Sequence, residues 1–172
     1  AIGAMSVVKG AILVVDGTTK VQMGTIKHWN HLRRRNIPTL IYVNKMDKDG
    51  INFEEVLADI REKLGKHAIP FCYPLGHGNK FDGFVNVVDM TARIYNGTTC
   101  VDAEIYEDKK AKAEELNTMI NEAVASTSDE LLDKYFMGEP LTEEEIRSGL
   151  LKGIIDGDLI PVIVGSAACN IG

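Results

Sequence analysis

Short apolar runs that predict β-strands alternate with amphipathic segments that predict helices at both ends of the chain. The strand-like runs are residues 10–16, 39–43 and 160–164. A helix of about residues 22–36 separates the first two runs, with Trp29 on its apolar face. A second helix begins after Asn52, a good N-cap residue, and ends at Gly65. Because the strands are short and almost wholly apolar, the pattern predicts a parallel sheet covered by helices on both faces.

The middle of the chain has the pattern of a small antiparallel sheet followed by helices. Strands are predicted at residues 69–76, 83–89, 93–95 and 103–106, with a glycine-containing turn after the first. Helices are predicted at residues 108–125, at residues 128–136, and from a Thr142/Glu145 capping box to about Gly157. These elements differ in kind from the alternating strands and helices on either side of them.

The predicted fold class is therefore α/β, with two parts. Residues 1–68 and 159–172 are expected to form a partial parallel sheet with helices on both faces. Residues 69–158 are expected to form an inserted α+β subdomain, with a small antiparallel sheet and about three helices.

Four residues, Asn44-Lys45-Met46-Asp47, follow the second strand directly. A carboxylate at a strand end can accept two parallel hydrogen bonds from the ring N–H and the exocyclic amine of guanine, an edge that adenine lacks. Asp47 is thus a candidate base-reading residue. Lys45 would cover the purine face with its stem and reach the ribose with its ammonium, and Asn44 would tie neighbouring loops together. The alternative is an ordinary polar turn after a strand.

A second candidate loop, residues 165–168, follows the last predicted strand with the sequence Gly-Ser-Ala-Ala. Small residues let backbone N–H groups approach a ligand, here the guanine carbonyl oxygen. Ser166 and Ala167 would supply these groups. Open parallel sheets bind ligands beyond the carboxyl ends of their strands, so the two loops together predict one guanine site.

Charge is distributed unevenly along the chain. The net charge is −6, but residues 1–99 carry +4 and residues 100–172 carry −10. The acidic half should avoid RNA and could meet a basic protein surface, although a solvated helix face explains it equally well. The three cysteines are widely spaced and form no Cys-x-x-Cys pair, which favours reduced thiols over a zinc site. No apolar run approaches the ~20 residues that span a membrane.

Several motifs resemble the later part of the GTP-binding domain of translation elongation factor G. They are Gly10 to Asp16, Val21-Gln22, Asn44 to Asp47, and Gly165-Ser166-Ala167; residues 141–164 resemble the end of the small domain inserted in that family. The resemblance covers nearly the whole chain, but residues 16–20 differ from the sequence that is more common in the family. Release factor three and the ribosomal protection proteins are alternatives within the same class. A stand-alone protein-interaction module is an alternative outside it.

The resemblance implies a Ras-like sheet and an intact protein that binds GTP or GDP with Mg²⁺. That protein would dock on the ribosome in the cytoplasm and drive translocation. The inserted domain would face the ribosomal stalk protein, with Glu114, Glu115 and Glu122 as the docking surface. The family gives Asp16 no chemical role.

The phosphate-loop motif Gly-x-x-x-x-Gly-Lys-Ser/Thr does not occur in the sequence. The chain is therefore expected to be a fragment that keeps the guanine-reading half of the site, contains no catalytic residue or magnesium ligand, and hydrolyses no GTP. Its first strand should lack one neighbour. The bare edge is expected to cause either self-association through residues 11–15 or a local rearrangement that covers them.

Overall fold

The computed structural model describes residues 2–172 as an α/β fold with two four-stranded sheets. The strands are β1 (Ala11–Asp16), β2 (Thr39–Asn44), β3 (Ala68–Pro70), β4 (Cys72–Leu75), β5 (Gly83–Asn86), β6 (Thr91–Tyr95), β7 (Cys100–Ala103) and β8 (Ile160–Val164). The parallel sheet has the order β1-β2-β8-β3, and the antiparallel sheet has the order β4-β5-β6-β7. This arrangement confirms the predicted fold class.

The helices follow the sequence signals for their ends closely. They are α1 (Ile2–Met5), α2 (Met23–Arg34), α3 (Phe53–Leu64), α4 (Glu107–Ala125), α5 (Asp129–Phe136) and α6 (Glu143–Asp156). The Asn52 side chain accepts a hydrogen bond from the Glu54 N–H at 3.0 Å and so caps α3. Gly157 ends α6 in the left-handed conformation, at φ +80°.

The two groups of helices cover opposite faces of the parallel sheet. Trp29 of α2 and Ile60 of α3 belong to the core cluster that includes Ala68 of β3. Ile69, the next residue of the same strand, packs with α4 and α6 in a second cluster. Successive strand residues point to opposite faces of the sheet. The connections that lead toward β3 and the connection that returns from β3 to β8 lie on opposite faces when all of them are right-handed crossovers.

The second face of the sheet is covered unevenly. Helices α4 and α6 cover it near β3, whereas Ile12 and Val14 of β1 are 69% and 56% exposed. Within residues 2–172, β1 pairs only with β2 and forms an edge of the sheet. The expectation of helices over both faces therefore holds at one side of the sheet and not at the β1 side.

One predicted strand, residues 69–76, is divided between the two sheets. Phe71 is the switch point, because its N–H donates to Val162 O at 2.8 Å in the parallel sheet. Its carbonyl accepts from the Val87 N–H at 2.9 Å beside the antiparallel sheet. The predicted domain boundary between residues 68 and 69 falls inside β3, and we propose placing it after Pro70.

The inserted segment otherwise matches its predicted elements with small shifts. The fourth predicted strand, residues 103–106, is observed as Cys100–Ala103 because Asn96 closes a tight turn after β6. The Asn96 Oδ1 accepts from the N–H groups of Thr98 and Thr99 at 3.0 and 2.9 Å, which brings β7 back at once. No helix within residues 2–172 is both long enough and apolar enough to cross a membrane.

Candidate functional site

The carboxyl ends of β1, β2 and β8 lie side by side at one edge of the parallel sheet. Asp16 is opposite Asn44 in the β1–β2 register, and Val43 is opposite Val164 in the β2–β8 register. The residues that follow these strands therefore emerge together. Polar groups far apart in the sequence become neighbours at this edge.

Asp47 is held in this group by contacts to both carboxylate oxygens. The Ser166 hydroxyl donates to Oδ1 at 2.5 Å, and the Lys48 Nζ lies 3.2 Å from Oδ2. The Ser166 hydrogen bond, aided by Lys48, lowers the pKa of Asp47 even though partial burial opposes it. The carboxylate is thus ionised at neutral pH. Each oxygen has a second lone pair, so two parallel donors from a ligand can still be accepted.

Asn44 connects the β2 and β8 loops through a single oxygen. Its Oδ1 accepts from the Lys45 N–H at 2.8 Å and from the Ala167 N–H at 3.0 Å. Both bonds join main chain to side chain, so they fix the path of the two loops relative to each other. The separation of 123 positions between Asn44 and Ala167 shows that this contact depends on the assembled sheet.

The loop from Ser166 to Ile171 is closed by reciprocal backbone hydrogen bonds. The Ser166 N–H donates to Ile171 O at 2.7 Å, and the Ile171 N–H donates back at 3.1 Å. The Ser166 hydroxyl also accepts from the Cys169 N–H at 3.2 Å. The backbone donors of Ser166 and Ala167 are therefore engaged within the protein, and their assignment to a base stays a prediction.

Gly165 is required here by packing against the protein itself. A Cβ at this position would lie 2.6 Å from the Ile171 carbonyl oxygen and would collide with the Tyr42 hydroxyl. The glycine thus lets the loop fold back over the end of β8. The sequence suggested that small residues here allow a ligand to approach, and the packing of Gly165 does not test that prediction.

The Lys45 side chain reaches the end of β1 and forms an ion pair with Asp16. The Lys45 Nζ lies 2.6 Å from Asp16 Oδ2, and the two side chains are 48% and 30% exposed. Sequence reasoning gave Asp16 no role. The signal that could have found it is its register, since the last residue of β1 faces the residue just before Lys45 across the strand pair.

A cleft of about 300 Å³ opens beside Asp47. Its lining comes from three loops and consists of Asp47, Lys48, Asp49, Gly78, Asn79, Phe81 and Cys169. The volume is at the lower end of the range for small-molecule sites. A larger groove of about 890 Å³ runs along α6, but it is lined mainly by aliphatic side chains such as Leu150 and Ile154.

The residues proposed for partner binding lie on the exposed side of α4. Glu114, Glu115 and Glu122 are all exposed at the surface of this helix. Both carboxylate oxygens of Glu115 accept from Lys112 Nζ, at 2.9 and 3.0 Å. Glu122 accepts from the Tyr135 hydroxyl at 3.4 Å. Their role in binding a partner stays a prediction.

Magnesium does not fit the acidic residues of this site. Within residues 2–172 no group of three or more His, Cys, Asp or Glu side chains is arranged to hold a metal ion. Asp16 and Asp47 are each engaged by a lysine and a hydroxyl group.

The fold and this edge of the sheet define an open parallel α/β domain with a polar site beyond its strand ends, the usual location for nucleotide binding. The chain belongs to the family described as the elongation factor Tu GTP binding domain, whose model matches residues 1–172. It is also similar to a crystal structure of a protein from Thermus thermophilus, with 29% sequence identity and a TM-score of 0.92. That likeness covers 99% of this chain and 26% of the other, so this chain spans about a quarter of that protein's length.

Proposed function

We propose that this chain reads the guanine base of GTP or GDP and works as part of a translational GTPase of the elongation factor G type. One observation supports this most strongly: Asp47 and Ser166, 119 positions apart, meet at a strand-end edge in a member of a GTP-binding family. The contact lowers the pKa of Asp47 and fixes the orientation of its carboxylate. Such a carboxylate is suited to the two adjacent donors that distinguish guanine from adenine.

Each residue of the site has a separate task in this proposal. Asp47 accepts from the ring N–H and the exocyclic amine of guanine, and Ser166 fixes the orientation of its carboxylate. The Lys45 stem covers one face of the purine. Before the base binds, Asn44 holds the two loops together through the bond from the Ala167 N–H, and this N–H is released to the guanine carbonyl oxygen when the base binds.

The proposed role of the longer protein is ribosomal. It would act in the cytoplasm and couple GTP hydrolysis to translocation, with the phosphate loop and magnesium ligands supplied by other segments. The support is the sequence resemblance together with the family membership. A ribosomal protection protein or release factor three would share the same base-reading residues.

The acidic helix α4 is the proposed contact for the stalk protein, through Glu114, Glu115 and Glu122. A basic partner surface would be complementary to this charge. Titration of the chain with the stalk protein's globular domain would test it, using a Glu114→Gln/Glu115→Gln variant. The acidic pair Glu143 and Glu144 on α6, changed in the same way, is a matched control. Equal loss of binding in both variants would point to general electrostatics rather than to α4.

The chain on its own should bind nucleotide weakly and hydrolyse no GTP. A few base contacts contribute roughly 0.5–1.5 kcal/mol each, and association costs at least ~4 kcal/mol. Millimolar binding is therefore expected. Micromolar, magnesium-dependent GDP binding would contradict the proposal that this chain reads only the base while other segments bind the phosphates and magnesium.

Base recognition can be tested by following backbone amide signals by NMR during titration with the soluble nucleotides GMP, IMP and AMP. GMP should shift the amides of residues 44–47 and 166–169. IMP lacks the exocyclic amine and should bind about 10-fold more weakly, because one charge-assisted hydrogen bond is lost. AMP should cause no comparable shifts. Equal shifts with all three nucleotides would overturn the proposal.

A further inference from the structure

We propose that Asp16 is a positioning residue that holds the Lys45 side chain in place for the purine. The inference rests on the proposed guanine site and assigns a task to a residue that this site otherwise leaves unused. Asp16 ends β1 and lies opposite Asn44, the residue before Lys45. Its Oδ2 receives the Lys45 Nζ at 2.6 Å.

Asp16 is itself fixed by the turn that follows β1. Its Oδ1 accepts from both the N–H and the hydroxyl of Thr18, at 2.9 and 2.6 Å. The Lys20 N–H donates to the Asp16 carbonyl at 2.8 Å and closes the turn. One carboxylate oxygen is therefore committed to the turn, and the other is aimed at Lys45.

The charge state of Asp16 agrees with this division of its oxygens. The hydrogen bonds from Lys45 and then from Thr18 lower the pKa of Asp16 to about 2, against a smaller opposing effect of burial. The carboxylate is ionised throughout the neutral range. It can hold the ammonium without competition from a proton.

The backbone of Lys45 is also set for this direction. Lys45 has φ +68°, a left-handed conformation that is uncommon for residues other than glycine, asparagine and aspartate. The Asn44 side chain accepts from its N–H at 2.8 Å and supports that conformation. With the backbone and the ammonium both held, the stem between them spans the ends of β1 and β2 while the side chain stays 48% exposed.

A lysine stem that is ordered before the ligand arrives loses less conformational freedom on binding. Lysine has one of the largest side-chain entropies, and immobilising such a side chain reduces affinity. Asp16 would thus strengthen binding without touching the base. An ordinary surface ion pair would have no such effect on a ligand.

The comparison is the surface ion pair between Lys20 and Glu55, which has an Nζ–Oε2 distance of 2.8 Å and a more exposed carboxylate, at 61%. GMP affinity is measured by NMR titration for the parent chain, Asp16→Asn, Lys45→Met, the double variant, and Glu55→Gln. Asp16→Asn should weaken GMP binding about 3- to 10-fold, the scale expected for ordering one long side chain. Glu55→Gln should leave GMP affinity unchanged.

The double variant separates positioning from general damage. Lys45→Met keeps an apolar stem but removes the ammonium, so adding Asp16→Asn should cause no further loss. The Lys45 ammonium signal gives a second readout that needs no ligand. It should report a restricted side chain in the parent and a mobile one in Asp16→Asn, with the remaining amide signals unchanged.

Three results would overturn the inference. They are a mobile Lys45 ammonium in the parent chain, unchanged GMP affinity in Asp16→Asn, and an equal loss from Asp16→Asn with and without Lys45. If GMP is still preferred over IMP in those cases, the proposed guanine site stands and only the role of Asp16 fails. If GMP causes no shifts even well above millimolar concentration, both proposals fail.

Discussion

The strand-end loops of the parallel sheet and the capped start of helix α6 use polar side chains in different ways. In the loops, Ser166 bonds to Asp47 across 119 positions, and Lys45 bonds to Asp16 across 29. In the helices, the Thr142 and Glu145 capping box joins residues only three positions apart. Local pairs stabilise an element wherever it forms. Distant pairs form only when the sheet assembles, and they position groups relative to one another as a ligand site requires.

The largest effect is expected from Gly165→Ala, which breaks the distant pairing by overpacking. The new Cβ would collide with the Tyr42 hydroxyl and with Ile171 O, a backbone atom that the Ser166 N–H holds in place. The free energy of unfolding should fall by about 3 kcal/mol, as measured by urea denaturation. Gly24→Ala in α2 is the control, because no atom lies within 4 Å of its added Cβ. Equal stability of the two variants would contradict the packing argument.

Ser166→Ala should have the next largest effect, since it removes a buried hydroxyl with two partners. The loss of these bonds to Asp47 and Cys169 should cost about 1–3 kcal/mol at neutral pH. The control is Ser148→Ala, whose exposed hydroxyl donates only to Glu145 O within α6. A loss as large in the control would show that burial and distance in sequence are unimportant.

The same substitution should change the pH dependence of stability in a defined direction. Ser166 is the main cause of the lowered pKa of Asp47. A carboxyl group whose pKa is lower in the folded state stabilises the fold at pH values above its unfolded-state pKa. This stabilisation is lost as the pH falls through the folded-state pKa. The pKa of Asp47 should therefore rise in Ser166→Ala. The stability difference between parent and variant should shrink in acid, and a constant difference would contradict this.

Thr142→Ala tests the capping box, in which the paired residues are close in the sequence. Loss of the cap should reduce the free energy of unfolding by about 1 kcal/mol and leave GMP binding unchanged. Thr118→Ala is a fair control, because that hydroxyl donates to Glu114 O inside α4 and caps nothing. A change in GMP affinity from Thr142→Ala would show that the two regions are coupled.

The smallest effect on stability is expected at the exposed side of β1. The chain should self-associate through residues 11–15, because apolar strand edges pair with other chains. Ile12→Lys should prevent this while changing stability by no more than about 0.5 kcal/mol, since Ile12 is 69% exposed. Analytical ultracentrifugation over a range of concentrations would measure it. A parent chain that stays monomeric throughout would refute the prediction.

The sequence predicted the elements with strong local signals and missed features set by tertiary contacts. The caps at Asn52 and Thr142 and the stop at Gly157 are visible in the sequence, and the structure has all three. The division of residues 69–76 at Phe71 is not visible, because an apolar run continues without interruption. Only the hydrogen bonds of Phe71, to Val162 in one sheet and to Val87 beside the other, show the break.

The candidate site shows the same limit. The strand-end position of Asp47 could be read from the sequence, but its contact with Ser166 depends on β2 and β8 lying side by side. The contact between Asp16 and Lys45 likewise depends on the β1–β2 register. Strand order and register are tertiary properties, so a sequence without homologues indicates the candidates but not their partners.

Base selectivity in an Asp47→Asn variant tests the central claim most directly. A carboxamide can accept from the ring N–H and donate to the 2-carbonyl of xanthine, whereas it cannot accept from both donors of guanine. The parent chain should prefer GMP over XMP about 10-fold, and Asp47→Asn should reverse that preference, a total change on the order of 100-fold in the ratio of dissociation constants, because one base hydrogen bond is lost in each mismatched pair. Asp49→Asn, in the same loop, should keep the parent's preference. An unchanged preference for GMP in Asp47→Asn would remove Asp47 from the base site and contradict the account.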